Sequence, residues 1–254
     1  MPERPIPRFG GYAARYHAYR PHYPARVFDR LMEEAGDHRD RAVDLGAGTG
    51  QATGDLLDRF RQVVAVEPDA DMAALIPQNP LLQVQIRPAE DVEFDDGRLD
   101  AAMAANSLHW MDGPRVCRKV GRWLRPGAAF VAFGFGHVQY PGAPEAVMRT
   151  LNSEAKLWRP HTHERLVDWR EYDEVLSASG AFARVEAFEI YSDLVWTPLE
   201  LAGFMMTTSS GSAYADARGG ADEALNALTY ALEDASGGRA IPVRLPVIGA
   251  LGWR

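Results

Sequence analysis

Short apolar runs alternate with amphipathic stretches along the first half of the chain. Five of these runs are predicted β-strands, at residues 42–45, 63–67, 81–86, 99–105 and 128–135. The segments between them place apolar residues at helical spacing, at residues 51–60, 70–76 and 114–124. Uninterrupted apolar strands that alternate with helices indicate a mainly parallel sheet with helices on both faces.

The pattern changes after Gly136. Helices and loops are expected at residues 141–180, followed by a long strand at 182–196, helices near 198–210 and 221–235, and a last strand at 243–253. Two stretches rich in small residues, 209–221 and 236–239, are predicted as loops. We therefore expect one α/β domain whose later insertions form a lid.

The composition fits a single folded domain without a nucleic-acid partner. The 254 residues are 46% hydrophobic and 24% charged, which is typical of a chain with a packed core. The formal net charge of -8 disfavours binding to a phosphate backbone. The single cysteine, Cys117, excludes an internal disulfide, and the sequence shows no apolar leader and no run long enough to span a bilayer. We expect a soluble, cytoplasmic protein.

Three glycines, Gly46, Gly48 and Gly50, follow the first predicted strand. Their strand–turn–helix context is typical of a nucleotide-binding turn, but the dinucleotide fingerprint places its third glycine one residue later, where Gln51 stands. A phosphate-binding P-loop is excluded because no Gly-Lys-Ser/Thr follows. Asp44, just before the turn, would repel a pyrophosphate. The turn therefore predicts a positively charged ligand without phosphate.

The second predicted strand ends at Glu67, which Pro68 follows. A carboxylate at this place can accept hydrogen bonds from both hydroxyls of a ribose. Enzymes that use S-adenosylmethionine and enzymes that use NAD share this device. Glu67 therefore predicts a nucleoside ligand without choosing between the two cofactors.

The Asp-x-Gly-x-Gly-x-Gly spacing resembles the first motif of class I S-adenosylmethionine-dependent methyltransferases. The likeness extends to residues 87–94, to the Asn-Ser-Leu-His-Trp end of the fourth strand, and to the segments 9–24 and 196–214, which are similar to the small-molecule branch with the trans-aconitate methyltransferases. It implies a Rossmann-like doubly wound sheet, mostly parallel with an antiparallel last strand, and helical lid insertions. The expected single domain, 1–254, has an N-terminal lid at 1–30, a core at 40–136 and substrate-side insertions at 137–180 and 197–240.

The resemblance also implies roles for individual residues. It assigns S-adenosylmethionine binding to Tyr16, Arg20, Asp44, Gly46, Gly48, Gly50, Glu67, Pro68, Ala89, Glu90 and Asn106. Arg20 is expected to pair with the methionyl carboxylate, and Asn106 to lie beside the methionyl amine. Residues expected on the substrate side are Tyr12, Trp110, Tyr140 and Trp158. Pro88 stands where the family often has an acid, so the contact to the adenine amino group comes from elsewhere or is absent.

His109 is the candidate catalytic residue, because imidazole titrates near neutral pH and can accept a proton from the methyl acceptor. A packing or positioning role for His109 stays open. His161, His163 and Glu164 have the residue types of a metal site, but their spacing does not bring a ligand set together, and we expect no metal.

The expected function is methyl transfer from S-adenosylmethionine to a small-molecule carboxylate, hydroxyl or amine, with neither nucleic acid nor membrane as partner. One alternative is a protein of the same fold that binds the cofactor but performs other chemistry. Another is a nicotinamide-dependent oxidoreductase, which the glycine spacing disfavours. The sequence does not specify the oligomeric state.

Overall fold

A seven-stranded sheet forms the centre of the computed structural model, which describes residues 12–35, 37–163, 166, 171–217 and 219–254. Its strands are β1 (Arg41–Leu45), β2 (Gln62–Val66), β3 (Leu82–Gln85), β4 (Leu99–Ala105), β5 (Leu124–Phe135), β6 (Arg184–Trp196) and β7 (Ile241–Trp253). They are arranged in the order β3-β2-β1-β4-β5-β7-β6. The first five pair in parallel, whereas β7 runs antiparallel to both β5 and β6. The predicted doubly wound sheet with an antiparallel last strand is confirmed.

Helices cover the sheet and extend beyond its carboxyl edge. They are α1 (Ala13–Tyr19), α2 (Ala25–Ala35), α3 (Thr53–Leu57), α4 (Ala70–Ala73), α5 (Gly113–Trp123), α6 (Glu145–Trp158), α7 (Tyr172–Ala178), α8 (Pro198–Met206), α9 (Ser209–Ala217) and α10 (Ala221–Ser236). Short 3₁₀ turns lie at Ala89–Asp91, Leu108–Trp110 and Arg159–His161. In the described ranges, no helix has both the length and the apolar character needed to cross a membrane.

The central strands are buried on both faces, as their uninterrupted apolar sequences predict. On β1, Val43 and Leu45 pack into one apolar cluster with residues of α5 and α7, whereas Ala42 packs into a second cluster with α2. In this second cluster Phe28 meets Phe133 of β5 edge to face, with ring centroids 6.1 Å apart. Apolar contacts on both faces therefore hold the sheet, and the loops at its carboxyl edge are free to form a site.

A third apolar cluster joins α6, α8, α9 and α10 to the first residues of β7. We call these four helices the cap. The prediction of a loop at 209–221 is wrong, because α9 occupies Ser209–Ala217. Its small residues permit close packing: a Cβ at Gly211 would lie 2.3 Å from the carbonyl oxygen of Met205. Tyr214 and Ala215 are buried in the cap, so tertiary packing outweighs the local preference of this sequence for a loop.

The N-terminal helix α1 connects the cap with the sheet. On the cap side, Arg15 forms an ion pair with Asp222 at 2.7 Å, and the ring of Tyr19 lies against Gly203 of α8. On the sheet side, Nδ1 of His17 lies 3.3 Å from Oγ1 of Thr49 in the glycine turn. Residues 1–11 of the expected lid lie outside the described residues, but its helical part bridges the two halves of the molecule.

We predict that Gly203→Ala loosens α1, because the added Cβ would lie 2.2 Å from a ring carbon of Tyr19. The overpacking should lower the free energy of unfolding by about 1–3 kcal/mol. It should also speed tryptic cleavage after Arg15. The matched control is Gly54→Ala, where a Cβ meets no heavy atom within 4 Å, and it should leave the melting temperature unchanged or higher. Equal stability and equal protection in the two variants would contradict the docking of α1 on Gly203.

Candidate functional site

A cavity of about 1600 Å³ lies between the carboxyl edge of the sheet and the cap. The turns after β1, β2 and β4 form its floor, at Gly46, Glu67 and Asn106, and α8 contributes Phe204 to its roof. The floor lies where the strand order reverses between β1 and β4, which is the usual ligand site of an open α/β sheet. Since ligand pockets usually measure roughly 300–1000 Å³, this cavity has room for two ligands.

The glycine turn has a backbone that favours glycine at all three positions. Gly46, Gly48 and Gly50 have φ angles of 71°, 59° and 87°. A Cβ at Gly46 would lie 2.5 Å from the Cβ of Ser107, whereas a Cβ at Gly48 would meet only Met72, at 3.6 Å. Gly46 and Gly48 line the cavity, but Gly50 does not. Gly50 shapes the turn, and Gly48 leaves open space where a ligand can approach the backbone.

Glu67 ties the end of β2 to the glycine turn. Its Oε2 accepts a hydrogen bond from the Gly48 amide at 2.8 Å, and its Oε1 accepts one from the Asp69 amide at 2.9 Å. Burial raises the pKa of Glu67, and the two amide hydrogen bonds partly offset that effect. Each carboxylate oxygen can accept a second hydrogen bond, so the residue holds the turn and still has capacity for a ligand hydroxyl.

Asp44 lies beneath the turn and does not line the cavity. Its side chain is fully buried, and Oδ2 accepts a hydrogen bond from the Thr53 hydroxyl at 2.7 Å. Oδ1 has no hydrogen-bond partner among the described residues. Burial raises the pKa of Asp44 to about 7; the Thr53 hydrogen bond opposes this rise, and the nearby Glu67 carboxylate adds to it. The predicted contact between Asp44 and a ligand is therefore not direct in this structure.

Of the three N-terminal residues assigned to the site, two line the cavity and one does not. Tyr16 and Arg20 line the cavity, with the Arg20 guanidinium carbon 5.2 Å from the centroid of the Tyr16 ring. Tyr12 precedes the helix, does not line the cavity and donates a hydrogen bond to the carboxylate of Asp216 in the cap. Spacing by four residues predicts one helical face for all three, but α1 spans only Ala13–Tyr19, so its flanking residues leave that face.

The turn after β4 carries the candidate base. Asn106 has φ of 54° and its amide donates to the carbonyl oxygen of Phe133, which bends the chain into the 3₁₀ turn Leu108–Trp110. His109 and Trp110 line the cavity, and their ring centroids are 4.9 Å apart. Trp110 also meets His163 edge to face at 5.2 Å. The packed rings fix the position of the His109 imidazole at the cavity wall.

Pro68, Ala89 and Glu90 line the part of the cavity beyond the Glu67 end of the floor. Ala89 is buried, and the Glu90 carboxylate accepts a hydrogen bond from the Asp112 amide at 2.7 Å, at the start of α5. Glu90 is thus a structural acceptor at a helix entry as well as a cavity residue.

The cap side of the cavity is mostly aromatic. Tyr140 and Trp158 line it, and Trp158 packs on Tyr214 with ring centroids 5.8 Å apart. Burial raises the pKa of Tyr140 to about 12, so its hydroxyl remains protonated at neutral pH. The cap wall also includes Phe204 and Met205 of α8. A ligand with an apolar body fits these surroundings.

Comparisons with known proteins agree with this geometry. Residues 43–132 match the family model of a methyltransferase domain. The chain carries a methyltransferase domain. A curated relative from Mycobacterium tuberculosis, an uncharacterized methyltransferase, is 39% identical over 123 residues, which are 47% of this chain and 48% of the relative. The trans-aconitate 2-methyltransferase of Deinococcus radiodurans is 31% identical over 106 residues, 41% of this chain and 40% of that protein.

A solved structure supports the same assignment for the fold. A protein from Anaeromyxobacter dehalogenans, assigned as a type II methyltransferase, superposes with a TM-score of 0.71 and 29% sequence identity, covering 92% of this chain and 98% of that chain. The matches to the two curated relatives, by contrast, span less than half of either relative's length. This chain therefore matches only part of each of these two relatives.

Several residues that line the cavity are not predicted as site residues from the sequence. In the sequence, Gln51 only shows that the glycine spacing does not match the dinucleotide fingerprint. In the structure, it lines the cavity beside the glycine turn. Phe204 and Thr207 fall in the segment 196–214 that resembles a lid insertion, so the segment is foreseeable and the two side chains are not. Of the histidine cluster considered for a metal, Glu164 lies outside the described residues, and no group of three or more potential ligands converges among the residues that are described.

We predict that Asp44 makes the stability of the ligand-free protein fall as the pH rises. Its folded-state pKa of about 7 lies above the ordinary value of 3.8, so folding takes up a proton between these values and the stabilisation is lost on approaching pH 7. Asp44→Asn keeps the acceptor for Thr53 and should raise the free energy of unfolding at pH 8 by about 1–4 kcal/mol, with the gain shrinking towards pH 5. Denaturant unfolding of both proteins at a series of pH values measures this difference in the free energy of unfolding.

The exposed Asp96→Asn serves as the control and should show no such pH-dependent gain. Part of the wild-type slope should persist in Asp44→Asn, because burial also raises the pKa of Glu67. An Asp44→Asn protein that is less stable than wild type at both pH values would contradict the raised pKa.

Proposed function

We propose that this chain transfers a methyl group from S-adenosylmethionine to a small-molecule acceptor. The observation that supports this most is the glycine turn, in which the open face of Gly48 borders the cavity while its amide is held by the Glu67 carboxylate. A turn of this shape lets a ligand lie against the backbone without a phosphate-binding lysine. The methyltransferase domain at residues 43–132 contains both residues.

The residues present fit such a cofactor. Gly46 and Gly48 would contact its methionyl part, Glu67 would accept from the ribose hydroxyls, and Asn106 would lie beside the amine. Ala89 and Glu90 would border the adenine. Neither Asp44 nor Gly50 lines the cavity. Asp44 would act on the cofactor through its charge beneath the turn, and Gly50 would act by shaping the turn. The carboxylates of Asp44 and Glu67 make the floor suitable for a cationic ligand rather than for a pyrophosphate.

The bound cofactor would supply a methyl group already activated on a sulfonium, so the protein's work is positioning. The chain's own residues would hold the acceptor against the floor and keep water out, with Trp110, Tyr140 and Trp158 as the walls. An imidazole nitrogen of His109 would accept the proton of an acceptor that arrives protonated. An acceptor that is already anionic would need no base, and the walls would only position it.

A small-molecule acceptor, with a carboxylate, hydroxyl or amine as the accepting group, suits a cavity between the sheet and a helical cap. The relative from Deinococcus radiodurans is a trans-aconitate 2-methyltransferase, which supports the small-molecule class. The net charge of -8 also argues against a nucleic-acid substrate. We propose the cytoplasm as the place of action, on the evidence of the single buried cysteine.

We predict saturable binding of S-adenosylmethionine and of S-adenosylhomocysteine by calorimetry, with no heat from NADH at the same concentrations. Methyl-labelled S-adenosylmethionine with a panel of small carboxylic acids, phenols and amines should yield at least one labelled product. Binding of NADH without S-adenosylmethionine binding would refute the proposed function. Cofactor binding without a labelled product from any acceptor class would favour a methyltransferase fold with different chemistry.

We predict that His109→Asn lowers turnover of a protonated acceptor by about 10²–10⁴-fold while S-adenosylhomocysteine affinity stays near wild type. The comparison variant is His22→Asn, since His22 does not line the cavity and should leave both quantities unchanged. A change confined to the acceptor KM would make His109 a positioning residue. Near-normal kinetics in His109→Asn would remove it from the mechanism.

A further inference from the structure

Arg20 is a buried cation without a carboxylate partner among the described residues. Its exposed fraction is 9%, and it lines the cavity. Nη1 donates a hydrogen bond to Oγ1 of Thr207 at 3.0 Å, whereas the buried Nε has no partner in the described part of the chain. Buried charges in proteins are nearly always paired, and a buried donor without an acceptor is costly. An anionic ligand in the cavity would therefore supply the partner that Arg20 does not have among the described residues.

Aromatic rings surround the guanidinium. Its central carbon lies 5.2 Å from the ring centroid of Tyr16, 5.0 Å from that of Phe135 and 5.3 Å from that of Phe204. Cation–π contacts of this kind hold the guanidinium between the rings, but they accept none of its in-plane hydrogen bonds. The rings thus position a two-pronged donor whose natural acceptor is a planar carboxylate.

The surroundings of Arg20 place it on the cap side of the cavity. Phe135 ends β5, which is separated from β1 by β4, so at about 4.8 Å per strand spacing it lies about 10 Å across the sheet from the strand that carries the glycine turn. Phe204 and Thr207 belong to α8 and to the residue that follows it. The guanidinium therefore contacts the cap side of the cavity. Under the proposed function, this is the part of the cavity in which the acceptor lies.

The glycine turn has a donor of its own. Gln51 lines the cavity directly after Gly50, and its Oε1 accepts a hydrogen bond from the Thr49 hydroxyl at 2.8 Å. This bond fixes the amide, and Nε2 is buried without a partner among the described residues. A carboxylate beside the turn would satisfy that donor.

We propose that Arg20 binds a carboxylate of the methyl acceptor, and that Gln51 donates to the methionyl carboxylate of the cofactor. This assignment rests on the proposed function and differs from the sequence-based expectation, in which Arg20 serves the cofactor. The acceptor is then a small carboxylic acid with an apolar or aromatic body, set against Tyr140, Trp158 and Met205.

Two other carboxylates restrict where the acid can lie. Glu171 and Glu189 also line the cavity, and neither forms an ion pair with Arg20 in the described structure. Both would repel an anion placed beside them. Arg159 also lines the cavity, but it is exposed, whereas Arg20 is buried. The acceptor carboxylate is therefore expected at the Arg20 guanidinium, and the rest of the acceptor extends towards the aromatic wall.

The test separates the two donors by binding rather than by activity. S-adenosylhomocysteine affinity is measured by calorimetry for wild type, Arg20→Met and Gln51→Ala. Carboxylate affinity is then measured by ligand-observed NMR on protein saturated with S-adenosylhomocysteine, using trans-aconitate, cinnamate and indole-3-acetate. The matched control is each acid with every carboxyl group converted to a primary amide, because this keeps the shape and removes the charge.

In the wild type, at least one acid should bind about 10-fold or more tightly than its amide, since a hydrogen bond to a charged group contributes about 1.5–3 kcal/mol. Arg20→Met should abolish that preference and change S-adenosylhomocysteine affinity by less than about twofold. Gln51→Ala should do the reverse. Arg20→Lys keeps the charge and should keep part of the preference, which distinguishes lost recognition from a misfolded variant.

A tenfold loss of S-adenosylhomocysteine affinity in Arg20→Met would overturn the proposal and return the arginine to the cofactor. Equal affinity for all acids and amides in the wild type, or an acid preference that survives in Arg20→Met, would overturn it as well. If the wild type does not bind S-adenosylhomocysteine, the proposed function fails. The acid–amide comparison without that ligand still tests whether Arg20 is a carboxylate site.

Discussion

The hydrogen bond from the Gly48 amide to the Glu67 carboxylate joins the two turns on which the site is built. It fixes the backbone after β1 relative to the end of β2, and it holds a carboxylate that is only 8% exposed. Asp44 lies beneath the same turn; burial raises its pKa, and the nearby Glu67 carboxylate adds to this rise. A cationic ligand on the floor would oppose that rise, whereas an anionic one would add to it. The electrostatics of the turn thus favour the ligand class that its glycine spacing also favours.

On the cap side of the cavity, the buried charge is a cation. Arg20 is held by three aromatic rings and by Thr207, from elements as distant in sequence as α1, β5 and α8. The helix α1 also contacts Thr49 in the glycine turn and Asp222 in the cap. One short helix therefore transmits the position of the cap to the turn that would hold a cofactor. Under the proposed function, the cap side presents a cation to one ligand, and the acidic floor lies beneath the other.

Local patterns are enough to predict most of the frame of the molecule. Strand positions and the glycine turn follow from apolar runs and from residues that share a short segment. The antiparallel β7 follows only from the resemblance to the methyltransferase family. The helix at Ser209–Ala217 follows from neither, because its burial against the other cap helices overrides a composition that favours a loop. Tyr12 also departs from its predicted face, since the helix begins after it and Asp216 captures its hydroxyl.

The surroundings of Arg20 show why the rest of the site is not readable from sequence. Phe135 and Phe204 are ordinary core residues by pattern, and only the fold brings them to the guanidinium. The match to the methyltransferase domain spans residues 43–132, which contain the glycine turn, Glu67 and His109 but neither Arg20 nor the cap. The floor of the cavity therefore belongs to the methyltransferase domain, whereas the flanking segments supply its roof. If the floor binds the cofactor, substitutions in the roof can change the acceptor without disturbing the turn. The choice of acceptor then depends mainly on Arg20 and the cap, and Trp110 is the contribution of the domain to the same wall.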